Sequence, residues 1–147
     1  KGLSAEGRYR QATPLGGFVS EVMRRAADTD IGFQNSGAIR ASIRPGPVTL
    51  QDAYRILPFE NTIMRCVMSG AELTDLLRFA LEQSGVGGYP QLAGVTVELR
   101  GGRLAEVTVG GSSLDPARDY TVATNNYLFH GGDGYTQFLA ARAGEDA

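Results

Sequence analysis

Residues 62–81 read TIMRCVMSGAELTDLLRFAL, and this stretch predicts a β-strand that is followed directly by an α-helix. The residues up to Met68 are mostly β-branched or apolar, which favours a strand. Ser69 and Glu72 have the spacing of a capping box, in which each side chain binds the backbone N–H of the other residue. Beyond them, leucine and alanine recur at helical spacing. We therefore expect the helix to begin directly after Ser69.

On both sides of this stretch, predicted helices and strands are interspersed with turns and a hairpin. They are a helix from Pro14 to Ala26, a strand at 30–34, a helix at 50–56 capped by Thr49, a hairpin over 95–109, a strand at 120–124, and a terminal helix at 138–143. The sequence has no internal repeat and no long linker. This pattern predicts a single α+β domain over residues 1–147, with a mixed sheet, hairpins and flanking helices.

The composition excludes several classes of partner. The 147 residues are 42% hydrophobic and 20% charged, with a formal net charge of −2, which is typical of a globular domain. A weak negative charge gives no electrostatic basis for binding nucleic acid, and the apolar runs are too short to span a membrane. Because the sequence begins at Lys1 rather than Met, we expect it to be part of a longer polypeptide.

Metal-dependent and nucleophilic catalysis lack the side chains they need. Cys66 is the only cysteine and His130 the only histidine, whereas zinc sites and two-metal phosphatase sites combine several His, Cys or Asp residues. A self-contained hydrolase that uses His130 and Asp133 is an alternative, but the sequence has no Gly-x-Ser-x-Gly elbow. We therefore expect no catalytic residue, no metal ligand and no cofactor in this chain.

Three segments carry residue types that suit a ligand. Asp133 lies among glycines, where its carboxylate can accept from a pair of hydroxyls such as a ribose diol, or belong to an ordinary turn. Arg40 follows a strand and a small-residue turn, where it can bind an anionic oxygen or face solvent. Phe59 and Tyr127 are loop aromatics that either fill the core or stack on a flat base.

Five short motifs occur in order between Leu15 and Phe138. They are LG at 15–16, NSGAIR at 35–40, PFEN at 58–61, GYPQ at 88–91, and GGDGY at 131–135. Together they resemble the C-terminal domain of the 5′-nucleotidase family, which includes bacterial UDP-sugar hydrolases and 2′,3′-cyclic nucleotide phosphodiesterases.

The resemblance implies a division of labour within a longer enzyme. In this family an N-terminal metallophosphoesterase domain carries two divalent metal ions and cleaves the phosphate ester. The C-terminal domain binds the nucleoside and rotates to deliver the phosphate to the metals. This chain corresponds to the second part, so we expect the catalytic domain to lie N-terminal to Lys1 and this chain alone to be inactive. Family enzymes are usually exported, which implies a periplasmic, secreted or cell-surface location.

The resemblance also implies roles for individual residues. Phe59 and Tyr127 resemble the two aromatics that sandwich the base, although the family usually has Phe at the position of Tyr127. Asp133 resembles the carboxylate that accepts hydrogen bonds from the ribose hydroxyls. Asn35 resembles a polar contact near the base or sugar, and Gly37 a position where the backbone comes close to the ligand.

The phosphate end of the site departs from the family pattern. Arg40 resembles the arginine that contacts the substrate phosphate. The family usually places a second arginine seven residues before the glycine of the first helix, where this chain has Tyr9. Arg8 and Arg10 flank that position, so that either one replaces the missing arginine or the second contact is absent. The identity of the substrate therefore stays open, and a non-catalytic ligand- or protein-binding module with the same fold is the alternative function.

Overall fold

A computed structural model describes the structure of residues 1–143. Its helices and strands are α1 (Pro14–Ala26), β1 (Ile31–Asn35), α2 (Leu50–Ile56), β2 (Ile63–Ser69), α3 (Gly70–Glu82), β3 (Pro90–Ala93), β4 (Val95–Arg100), β5 (Arg103–Val109), β6 (Ser112–Ser113), β7 (Asp119–Asn125), α4 (Asn126–Phe129), α5 (Thr136–Ala140) and β8 (Arg142–Ala143). Single 3₁₀ turns follow at Ser36–Ala38, after β1, and at Gly132–Gly134, after α4.

A mixed five-stranded sheet with the order β3-β1-β7-β2-β8 lies at the centre of the fold. Strand β1 is parallel to β7 and antiparallel to β3, whereas β2 is antiparallel to both β7 and β8. Strands β4, β5 and β6 form a separate antiparallel sheet. This arrangement confirms the predicted α+β class with a mixed sheet.

Helices cover both faces of the central sheet, and each face has its own apolar core. Because successive side chains of a strand point to opposite faces, Val122 of β7 belongs to the core under α3 and α5, while its neighbour Ala123 belongs to the core under α1. The helix predicted after Ser69 is confirmed, since the Glu72 N–H donates to Ser69 Oγ at 3.2 Å and the Ser69 N–H donates to Glu72 Oε2 at 2.7 Å.

Several elements differ from the sequence predictions, among them α4 and β6, which were not predicted. The terminal helix predicted at 138–143 was wrong in its extent, because the helix ends at Ala140 and Arg142–Ala143 pairs with β2 instead. The open edge of β2 offers backbone hydrogen bonds that the helical propensity of this segment does not outweigh. Strand β3 was not predicted: it starts at Pro90, a residue that reads as a loop, and its residues Pro90 and Gln91 are buried.

Candidate functional site

Two parallel neighbouring strands end side by side and bring distant segments of the chain together. Strand β1 ends at Asn35 and leads into the 3₁₀ turn that contains Gly37. Strand β7 ends at Asn125 and leads into α4, which carries Tyr127, and then into the glycine-rich segment with Asp133. The carboxyl ends of parallel strands lie at the same edge of a sheet, where open α/β sheets commonly bind ligands.

A cavity of about 340 Å³ opens at this edge, which is the size of a small-molecule site. It is lined by Asn35, Gly37, Ala38, Phe59, Asn61, Gly87, Tyr127 and Asp133. Every residue that the sequence predicts for substrate binding is in this group except Arg40. Those residues come from segments as far apart in sequence as residues 35 and 133, so their convergence is a property of the fold.

The two aromatic side chains line the cavity and do not fill the core. Phe59 is 53% exposed and Tyr127 is 48% exposed, so the alternative that they plug the interior is wrong. Phe59 follows the end of α2, in a short turn closed by a hydrogen bond from the Asn61 N–H to the Phe59 carbonyl at 2.9 Å. Tyr127 lies in the first turn of α4. Both rings therefore present accessible surface to one space.

Asp133 is held by hydrogen bonds from two other cavity residues. Its backbone has a φ of +55°, a left-handed conformation that is uncommon outside glycine. Asn35 Nδ2 donates to Asp133 Oδ2 at 2.9 Å, and the Tyr127 hydroxyl donates to Asp133 Oδ1 at 2.9 Å. The Tyr127 hydroxyl also accepts from the Asp133 N–H at 3.2 Å. The hydrogen bond to the carboxylate raises the pKa of Tyr127 above its ordinary value, and burial raises that pKa further.

The glycine-rich segment is anchored by the buried tyrosine that follows it. Tyr135 is fully buried, and its ring meets Phe33 edge-on with the centroids 5.4 Å apart. Its hydroxyl donates to the carbonyl of Gly88. Gly132 is packed so closely that an added Cβ would lie 2.6 Å from two ring atoms of Tyr127. These contacts tie the Asp133 turn to both the core and the 84–89 loop.

Gly37 brings the 84–89 loop up to the end of β1. Its N–H donates to the carbonyl of Gly87 at 2.8 Å, and a Cβ at position 37 would lie 3.2 Å from the Gly87 Cα. Gly37 thus permits a close backbone approach to Gly87, and the close approach to a ligand expected at Gly37 stays a prediction. Both glycines contribute to the wall of the cavity.

The arginines lie outside the cavity wall. Arg40 is exposed, and its Nη1 donates to the Gly37 carbonyl at 3.3 Å, which places it next to a residue of the wall. Arg8 stacks over the Tyr9 ring at 4.5 Å and donates to the Tyr9 hydroxyl at 3.1 Å. Arg10 is exposed and lies against Gly85, in the loop whose Gly87 lines the cavity. Of the two flanking arginines, only Arg8 has a side-chain hydrogen bond within residues 1–143.

The sequence reasoning missed three lining residues, Ala38, Asn61 and Gly87. Asn61 stands in the PFEN motif, and a polar side chain beside an exposed aromatic was a usable signal. Ala38 has no polar group, and Gly87 is one of three glycines in its loop, so the sequence alone did not single out either residue.

A second cavity, of about 270 Å³, adjoins the first and shares Ala38, Phe59 and Asn61 with it. Its other walls are largely apolar and include Phe18 and Val22 of α1, which are about half exposed. Phe18 and Val22 lie at helical spacing with Leu15 and Val19, which predicts a single apolar side facing the core. In the structure they face this open space instead.

His130 and Cys66 make contacts that serve the fold. His130 Nδ1 lies 2.7 Å from the carbonyl oxygen of Asn126, within its own turn, and no hydrogen bond links it to Asp133 among residues 1–143. Cys66 is buried, which raises its pKa to about 12. Within the described chain, no three His, Cys, Asp or Glu side chains are grouped closely enough to hold a metal ion, and no helix could cross a membrane.

Comparison with known proteins relates this fold and cavity to a family. The model of the 5′-nucleotidase C-terminal domain matches residues 1–140. Protein UshA of Salmonella pullorum is 35% identical over 124 residues, which cover 84% of this chain and 22% of UshA. The NAD 5′-nucleotidase of Haemophilus influenzae is 37% identical over 138 residues, covering 82% of this chain and 23% of that protein.

Solved structures share the fold. The 5′-nucleotidase precursor from Thermus thermophilus superposes with a TM-score of 0.82 at 31% identity, over 97% of this chain and 31% of its own. The Haemophilus influenzae NAD nucleotidase superposes with a TM-score of 0.74 at 34% identity, over 86% of this chain and 25% of its own. The chain thus spans less than a third of the length of each of these proteins. It belongs to the 5′-nucleotidase C-terminal domain family.

Proposed function

We propose that this domain recognises a nucleotide on behalf of a 5′-nucleotidase-type phosphoric ester hydrolase. It holds the base and the ribose, while a separate two-metal domain of the same polypeptide cleaves the phosphate ester. The observation that carries the proposal is the presence of Phe59, Tyr127 and Asp133 in one open cavity of about 340 Å³. The relatives with the same fold include proteins named as 5′-nucleotidases.

Each part of the cavity matches one part of a nucleotide. The half-exposed rings of Phe59 and Tyr127 offer stacking surface for a base, and each such contact contributes roughly 1–3 kcal/mol. The Asp133 carboxylate is an acceptor for the two hydroxyls of a ribose. Arg40 lies beside the cavity wall, where a guanidinium suits a phosphate oxygen.

This assignment gives the chain a binding role and no catalytic residue. The two divalent ions belong to the catalytic domain, and the Phe59 and Tyr127 surfaces hold the nucleoside while its phosphate reaches those ions. Because the enzymes of this family are usually exported, the proposal includes a periplasmic, secreted or cell-surface location for the full-length protein.

Titration of AMP into the chain tests the proposal. We expect Phe59→Ala and Tyr127→Ala each to weaken binding by roughly tenfold or more, because each removes one stacking surface, and the double variant to weaken it further. Phe18→Ala is the matched control: Phe18 is 51% exposed and lines only the adjoining cavity, so AMP affinity should be retained. Equal affinities for wild type and the double variant contradict the proposal.

A non-catalytic binding module is the second candidate function. Helix α2 and the segment before it leave several large apolar side chains in solvent, including Val48 at 58%, Leu50 at 71% and Tyr54 at 64% exposure. A surface of this kind is typical of protein contacts. This candidate is favoured if the chain shows no AMP binding at all.

A further inference from the structure

Asn125 is a buried residue that lines the adjoining apolar cavity and not the cavity with Asp133. The donors and acceptors of its side-chain amide are fixed by its hydrogen-bond partners. It is 3% exposed and ends β7, where its Oδ1 accepts from the Leu128 N–H at 2.8 Å. A backbone N–H can only donate, so the side-chain atom facing it must be the oxygen. The amide of Asn125 is therefore held in one orientation by the first turn of α4.

The orientation of the Asn125 amide fixes the orientation of the Asn35 amide. With its oxygen occupied, Asn125 turns its Nδ2 to Asn35 Oδ1 at 2.9 Å and to Gln34 Oε1 at 3.3 Å. Because an amide NH₂ only donates, Asn35 must present its oxygen to Asn125. The Asn35 Nδ2 is then left facing Asp133 Oδ2, to which it donates at 2.9 Å.

The opposite orientation of Asn35 would be unfavourable. It would place the amide oxygen of Asn35 against the Asp133 carboxylate and two NH₂ groups, of Asn35 and Asn125, against each other. Asn35 and Gln34 are 4% and 3% exposed, so water does not readily relieve such a mismatch, and unsatisfied buried polar groups are costly. The side chain of Asn125 therefore decides which atom Asn35 shows to Asp133.

We infer that Asn125 is a positioning residue for the recognition of a ligand's vicinal hydroxyl pair. It orients the Asn35 amide, which holds the Asp133 carboxylate in the cavity, and through the same side chain it caps α4, which carries Tyr127. The inference rests on the proposed nucleotide-binding function, since it concerns the carboxylate assigned to the sugar.

Asn125→Asp tests this role with little change in size. The new carboxylate still accepts from the Leu128 N–H, since Asp is as good an N-cap as Asn, but in its ionised form it cannot donate to Asn35. The Asn35 amide then lies between two carboxylates and can donate its NH₂ to only one of them, so its hydrogen bond to Asp133 is no longer fixed. Wild type should bind AMP roughly tenfold more tightly than 2′,3′-dideoxy-AMP, a difference of about 1.4 kcal/mol. In Asn125→Asp this preference should fall to twofold or less, while affinity for the dideoxy nucleotide changes by less than about threefold.

Two comparisons separate positioning from a general structural effect. In an Asn35→Ala background, Asn125→Asp should cause no further loss of the preference for AMP, because the two residues act in series. Asn126→Asp is the matched control, since Asn126 is adjacent and its Oδ1 accepts from the Thr62 N–H at 2.9 Å. This variant adds the same charge at a residue that does not contact Asn35, so the preference for AMP over the dideoxy nucleotide should be kept. Equal loss of both nucleotides in Asn125→Asp, or a retained preference, overturns the inference.

A measurement without ligand keeps the inference separate from the proposed function. In ¹H–¹⁵N spectra of the ligand-free chain, the side-chain NH₂ resonances of Asn35 should move in Asn125→Asp and stay in place in Asn126→Asp. If the Asn35 resonances stay in place in Asn125→Asp, then Asn125 does not orient the Asn35 amide, and the inference is overturned whatever the chain binds. If the resonances move but wild type does not discriminate between the two nucleotides, the proposed sugar contact fails and the role of Asn125 in recognition fails with it.

If Asn125→Asp does not fold, Asn125→Ser, which keeps a capping oxygen without a second charge, takes its place in all these measurements.

Discussion

Tyr127 contacts Asp133 through one oxygen atom in two ways. Its hydroxyl donates to the Asp133 carboxylate at 2.9 Å and accepts from the Asp133 N–H at 3.2 Å. The residue it holds has a φ of +55°, a conformation that costs free energy for a side chain other than glycine. The hydroxyl that distinguishes this chain from the usual family Phe therefore stabilises the strained turn, while the ring faces the cavity.

Tyr127→Phe separates these two contributions. We expect the free energy of unfolding to fall by about 0.5–1.5 kcal/mol, since one hydrogen-bonding group is lost. AMP affinity should stay within roughly threefold of wild type, because the stacking face is kept. Urea unfolding and AMP titration measure the two effects. A loss of AMP binding as large as in Tyr127→Ala would show that the hydroxyl, and not the ring, is the main contact.

The same hydroxyl predicts a difference in alkaline stability. The pKa of Tyr127 is raised because its hydroxyl donates to Asp133, so folding favours the protonated phenol. The stabilisation that comes from the Tyr127 hydroxyl is complete below the ordinary tyrosine pKa of 10.0. It is lost as the pH rises through the higher pKa that Tyr127 has in the folded protein. The unfolding midpoint of wild type should therefore fall more steeply above about pH 10 than that of Tyr127→Phe; parallel curves would exclude this contribution.

At the scale of elements, helix α1 packs closely on strand β3 through one glycine and one buried glutamine. Gln91 is fully buried; its Oε1 accepts from the Thr13 N–H at 2.9 Å and its Nε2 donates to the carbonyls of Arg8 and Gln11, both at 2.9 Å. A Cβ added to Gly16 would overlap the Gln91 side chain. The LG and GYPQ motifs are therefore in contact, and their residues form the joint between α1 and the sheet.

Gly16→Ala should destabilise the packing of α1 on β3, and Gly17→Ala should not. We expect Gly16→Ala to lower the free energy of unfolding by about 2–4 kcal/mol, because Gln91 must move and lose buried hydrogen bonds. Nothing lies within 4 Å of a Cβ at Gly17, so Gly17→Ala should be neutral or stabilise by up to about 1 kcal/mol through helix propensity. Urea unfolding of the two variants provides the comparison, and equal stabilities would contradict this account of α1.

For the whole molecule, the exposed ion pairs predict a loss of stability in acid. Arg24 and Arg25 lower the pKa of Glu21 from 4.5 to about 2 through hydrogen bonds. The Thr49 backbone and side chain lower the pKa of Asp52, and Arg142 lowers that of Asp119. Depressed carboxyl pKa values stabilise the fold above the unfolded pKa, and this contribution is lost as the pH falls from 4.5 through about 2.

The thermal midpoint should therefore decline between about pH 5 and pH 2, and the decline should be shallower in Glu21→Gln. Because these groups are exposed, added salt should reduce the effect. A midpoint that rises or stays constant on acidification would contradict the assignment.

Local patterns in the sequence were sufficient for much of the fold. The N-cap at Thr49, the capping box at Ser69, the apolar periodicity of α1 and α3, and the alternation in β4 predicted elements that the structure contains. Strand β3 and the end of the terminal helix were missed because neighbouring strands, rather than local propensity, decide them. Phe18 and Val22 show the same limit, since a helical stripe indicates one apolar side but not what covers it.

The sequence by itself determined the class of the fold, the helices α1, α2 and α3, and the small set of residues from which a binding site could be chosen, because these depend on neighbours along the chain. Only the tertiary structure decided that Asn35, Phe59, Tyr127 and Asp133 line one cavity. It also decided that Arg40 lies beside that cavity and that Asn125 orients the amide of Asn35. The physical reason is that these contacts join residues up to 98 positions apart, and such contacts form only when the parallel pairing of β1 with β7 brings the ends of both strands together.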